Sequence, residues 1–89
     1  MTTPTLTAVT IADRNETKCL FSWGFVGTPS PRDPNMLDFV FDATESLFEA
    51  RRAYSQNAPV PVLSFIAASR YVDKAVFEHR QREVRDVSN

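Results

Sequence analysis

The sequence predicts an α+β domain: a three-stranded antiparallel β-meander covered on one face by two α-helices, with a short fourth strand or a loop at 60–66. Three observations carry this. In the first half of the chain large apolar side chains alternate with smaller or polar ones, the period of a strand. In the second half apolar residues return every three to four positions, the period of a helix. The chain has 89 residues, 43% of them hydrophobic and 24% charged, which is the make-up of one globular domain spanning 1–89. Its ends, 1–4 and 86–89, are expected to fray.

The first strand is read at 5–12, Thr-Leu-Thr-Ala-Val-Thr-Ile-Ala, a run rich in β-formers. Asp13-Arg14-Asn15-Glu16 is polar and reads as a turn. A second strand is predicted at 17–26, where Cys19, Phe21, Trp23 and Phe25 fall two apart and would share one face. Residues 27–35 read as a loop, because three prolines in nine positions suit neither a helix interior nor a central strand. Leu37, Phe39 and Phe41 then alternate with Asp38, Val40 and Asp42 in a third strand.

The first helix starts with Asp42 as N-cap and Glu45 three residues on, the spacing of a capping box. Ala43, Leu47, Ala50 and Tyr54 share one of its faces, and Asn57-Ala58-Pro59 ends it. The last helix begins near Ser64 or Ser69 and runs to Arg85. Ala68, Val72, Ala75, Val76 and His79 form its core stripe. Phe77 and Val84 lie roughly 120–140° away from Val72 around the axis, a second apolar line that a helix covering one small sheet does not need. The expected core is Leu6, Ile11, Cys19, Phe21, Trp23, Phe25, Leu37, Phe39, Phe41, Leu47, Tyr54, Phe65, Val72 and Val76.

Charge and motif content exclude more than they assign. The net charge is -1, too small for strong steering onto nucleic acid or an anionic membrane. The longest apolar run, 60–68, is about half of what a bilayer requires and holds Pro61 and Ser64, so no membrane partner is expected. One cysteine and an N-terminus without basic residues point to a reducing, cytoplasmic setting. With only Gly24 and Gly27, a glycine-rich phosphate cradle is ruled out. No Cys/His spacing suits a metal. Neither a cofactor nor a metal is expected.

Each reactive residue has a plainer role. His79 stands in Glu78-His79-Arg80-Gln81-Arg82 without a nucleophile or a ligand set beside it, and reads as structural. Cys19 reads as an inert thiol among aromatic residues. Asp38 and Asp42 are separated by about 13 Å of strand, too far to act on one bond, so the chain reads as no enzyme. The phosphorylation-like pairs Thr28-Pro29 and Ser30-Pro31, and the bare Pro31-Arg32-Asp33-Pro34, are short enough to arise by chance.

The stretch Phe41-Asp42-Ala43-Thr44-Glu45, leading to Glu49-Ala50-Arg51-Arg52-Ala53-Tyr54, resembles in outline the strand-to-helix step of the small integrase arm-binding domain and its plant DNA-binding relatives. The likeness covers about a third of the chain. It implies a three-stranded sheet with a helix, and contact with DNA. Those domains read DNA with Arg-rich strands, whereas the strands here are apolar and acidic.

The functional expectation is a non-catalytic interaction module, binding a protein partner or itself as an assembly, adaptor or inhibitory subunit, a type that phages and mobile elements often encode. Its candidate interface residues are Phe77, Val84 and Arg80 on the last helix and Pro31 and Arg32 in the proline-rich segment. The alternative is a nucleic-acid-binding module in which Arg51, Arg52, Arg80, Arg82 and Arg85 merge into one patch.

Overall fold

The computed structural model describes residues 7–87, with side chains through Arg82. The elements run β1 (Ala8–Ile11), α1 (Arg14–Ser22), β2 (Thr28–Asp33), β3 (Met36–Asp42), α2 (Glu45–Ser55) and α3 (Val62–Val87). The three strands form one open antiparallel sheet in the order β1-β3-β2. The α+β class and the three antiparallel strands are as the sequence predicts. The segments that supply the elements differ in four places.

The first correction is α1. Residues 17–26 are not a strand, because Asp13 caps a helix: its Oδ1 accepts the Glu16 N–H at 3.0 Å. Asp13-x-x-Glu16 has the spacing of a capping box. The helix stops in a Schellman motif, with Phe25 N–H donating to the Leu20 carbonyl and Gly24 N–H to that of Phe21. Gly24 takes φ +96° there, a conformation that side chains resist. Leu20, assigned by alternation to the face opposite Cys19 and Phe21, is fully buried.

The second correction is β2. The proline-rich stretch read as a loop supplies an edge strand, with Pro29 opposite Phe39 and Pro31 opposite Leu37. Proline survives on an edge where its missing N–H would point away from the neighbouring strand. The register breaks between Pro31 and Asp33, and Asp33 Oδ1 accepts the Asn35 N–H at 2.8 Å to turn the chain into β3. β3 is therefore central, and the strands do not follow one another as a meander does.

The remaining two concern helix starts. Thr44, not Asp42, caps α2, its Oγ1 accepting the Leu47 N–H at 3.1 Å. α2 also ends in a Schellman motif, with Asn57 at φ 60°. Residues 60–66 form no strand: the Pro61 carbonyl accepts the Phe65 N–H, and α3 is already under way at Val62. With 26 residues, α3 is about 39 Å long. It draws the chain out to a radius of gyration of 14.8 Å and extents of 48 × 42 × 17 Å, where a rounder domain of this length would have a radius near 12 Å.

The core lies between the sheet and the helices. Ile11, Phe39 and Phe41 from the strands meet Leu20 of α1, Leu47 of α2, and Val72 and Val76 of α3. Phe21 joins the layers at its rim. Its ring stands edge-on to Phe39 at 5.7 Å, Phe41 at 5.5 Å and Tyr71 at 5.2 Å, a favourable aromatic geometry. Leu6, expected in the core, lies outside the described residues.

Candidate interaction surface

α3 carries two unlike faces. At about 100° per residue, Phe65, Ala68, Val72, Val76 and His79 point at the sheet and α1. Leu63, Ile66, Arg70, Asp73, Phe77 and Arg80 follow one another at steps of three or four on the opposite side. That second line is in water: Leu63 is 82% exposed, Phe77 62% and Ile66 41%. Val84 continues the line by position, and its side chain lies outside the described residues. Phe77, singled out from the sequence, is thus free of the core. Leu63 and Ile66, which the sequence reading left at the blurred start of the helix, join it.

The charges on this face are specific. Asp73 Oδ1 pairs with Lys18 Nζ of α1 at 3.0 Å, and its Oδ2 faces the Ser69 hydroxyl at 3.5 Å. Arg70 makes no ion pair among the described residues. Arg80 turns aside, its Nε donating to the Asn35 carbonyl at 3.2 Å.

Around the helix lies a groove of about 400 Å³, lined by Pro29, Pro31, Leu37, Tyr71 and His79 among others. His79 is only 4% exposed. Its Nε2–H donates to the Asp33 carbonyl at 2.8 Å, so the one histidine ties α3 to the end of β2. It holds structure at the groove wall. Pro31, a candidate contact, lines the same groove. Arg32 sits at the register break with Nε 3.4 Å from Asp38 Oδ2. Asp38 is buried on the central strand, and its Oδ1 has no hydrogen-bond partner among the described residues.

Two of the arginines expected to form a nucleic-acid patch, Arg51 and Arg80, have protein partners. Arg51 is committed to Glu16 of α1, with Nε to Oε2 at 2.8 Å. Arg52 is exposed beside it on α2, and Arg82 is exposed on α3 at the groove. The Arg85 side chain lies outside the described residues. Burial pushes the Cys19 thiol up, with the Asp13 and Glu16 carboxylates adding to the effect, the reverse of what a reactive cysteine needs. Burial raises the Tyr54 phenol as well, and the same two carboxylates and Cys19 add to it. Among the described residues no three His, Cys, Asp or Glu side chains gather as a metal site, and no helix is long and apolar enough to cross a membrane. No family model, curated protein or solved structure matches the chain.

Proposed function

We propose that the protein is a non-catalytic interaction module that binds through the outer stripe of α3. The observation that supports this is the exposure of Leu63, Ile66 and Phe77 along one helical line, on the side of α3 turned away from the core. Isolated surface apolar residues need no explanation, but an aligned set on a long helix is the form in which helices recognise one another. The occupied arginines lend no support to the nucleic-acid alternative: Arg51 neutralises Glu16, and Arg80 is tied to Asn35.

The test compares wild type with Phe77→Asp. Solution mass is measured by light scattering, nucleic-acid carry-over by absorbance, and partners by capture from the native host. The expected result is that the substitution abolishes self-association or removes a specific partner while the circular dichroism spectrum is unchanged. If neither the mass nor the captured set changes, or if wild type carries nucleic acid that salt displaces, the reading is overturned.

A further inference from the structure

We infer that the occupant of the α3 stripe is a second copy of this chain, packed antiparallel about a twofold axis that passes between Arg70 and Asp73. This rests on the reading above that the stripe is a binding surface, and adds the partner and its register. The argument is one of charge and spacing. Leu63, Ile66, Arg70, Asp73, Phe77 and Arg80 alternate steps of three and four, as the seam of a two-helix coil does. Its inner four positions are self-complementary about the middle: Ile66 and Phe77 stand on either side of two opposite charges, Arg70 and Asp73.

Placing two such helices antiparallel about that centre sets Ile66 against Phe77 of the second copy, twice. It also sets Arg70 against Asp73 of the second copy, twice. Arg70 makes no ion pair among the described residues, and Asp73 remains half exposed despite its contact with Lys18. The competing arrangements are penalised. A parallel pair puts Arg70 on Arg70 and Asp73 on Asp73, and like charges brought together across an interface repel. Sliding the antiparallel pair by one heptad opposes either Arg70 to Arg80, or Leu63 to Asp73 and Ile66 to Arg70. The central register pairs both the apolar side chains and the charges of the inner positions, and leaves its one apolar-to-charge match, Leu63 with Arg80, at the two ends of the seam, where Arg80 turns to the Asn35 carbonyl. It is also self-complementary, as a twofold interface must be. The apolar pairs supply the attraction, and the two ion pairs select direction and register.

Light scattering from low micromolar to near-millimolar concentration tests the partner. The mass is expected to rise from the 10.1 kDa of one chain towards twice that value. Arg70→Asp, which faces two like charges across the axis, is expected to stay monomeric. Arg70→Asp combined with Asp73→Arg restores the opposite pairing and is expected to dimerise again. Circular dichroism confirms that all variants fold.

Direction is tested in a Cys19→Ser background. Ile66→Cys with Phe77→Cys in one chain is expected to cross-link under mild oxidation, because facing Cα atoms come within about 7 Å. Either cysteine alone is expected not to, since equivalent positions lie about 16 Å apart along the axis. Wild type that is monomeric throughout, or single variants that cross-link as readily as the double, overturns the inference. Loss of a captured partner on Phe77→Asp in a protein that is always monomeric would overturn the second copy as occupant and leave the stripe as a binding surface.

Discussion

Arg51 of α2 grips Glu16 of α1 across 35 positions of sequence, with Nε donating to Oε2 at 2.8 Å and Nη2 to Oε1 at 3.5 Å. Glu16 is buried and occupies the first turn of α1, where a negative charge also meets the positive end of the helix dipole. The pair joins two helices that share few other contacts.

Removing the cation should cost more than the pair is worth. Arg51→Ala leaves a buried carboxylate without its partner, and a loss of about 1–2 kcal/mol is expected in urea unfolding, discounted because Arg51 is partly in water. Glu16→Gln together with Arg51→Ala should recover part of it. A strictly additive double variant would show that the two side chains do not couple.

Gly27 faces the ring of Phe41: a Cβ built there lies 2.6 Å from its Cζ. Phe41 is held by Phe21 and the rest of the core, so Gly27→Ala should destabilise by about 1–3 kcal/mol through overpacking. Combined with Phe41→Leu, which shortens the obstacle, the cost of the added methyl should fall. Gly24→Ala meets nothing in space but must hold φ +96°. It should cost about 1–2 kcal/mol through backbone strain alone, and no partner substitution should relieve it.

His79→Ala withdraws the donor that closes α3 onto the Asp33 carbonyl. A loss of about 1–2 kcal/mol is expected. Hydrogen exchange should show faster opening at the β2–β3 turn and in the last turns of α3, while α1 and α2 keep their protection. Uniform acceleration over the whole chain would place the effect elsewhere.

The Cys19 thiol is raised by burial first and by Asp13 and Glu16 second. Alkylation by iodoacetamide near neutral pH should therefore be slower than for free cysteine, and should climb only above about pH 8.5. The folded state holds this proton more tightly than the unfolded state. The group thus leaves stability whole below the ordinary thiol pKa and erodes it as the pH rises through the raised one. Cys19→Ser should flatten that alkaline decline.

The legible part of the fold is the part where one period acts alone. Phe39 and Phe41 alternate over a strand that is flanked on both sides, and Leu47, Val72 and Val76 repeat within helices, so pattern and burial agree there, whereas at the start of the strand Asp38 is buried and Leu37 only partly so. At Cys19, Phe21, Trp23 and Phe25 the pattern misleads for a physical reason. Only the first two are in a helix, Trp23 is its C-cap and Phe25 lies past the turn, so the alternation joins two conformations. Asp13, Glu16 and Gly24 carried the corrective signal, a cap at one end and a helix stop at the other. The prolines of β2 excluded a central strand correctly, and an edge position was the exception they allowed. Of the exposed stripe on α3, Phe77 was visible as a surplus apolar residue. Leu63 and Ile66 were hidden by the uncertainty over where α3 begins.

The two prolines of β2 have one more effect. Pro29 and Pro31 occupy the positions whose backbone faces outward, while Thr28 and Ser30 turn theirs towards β3. Along 28–31 the outer rim of the sheet therefore offers carbonyl oxygens and no hydrogens to match them. A strand arriving there would find half of its ladder missing. The addition of one sheet edge to another is thereby disfavoured along this rim.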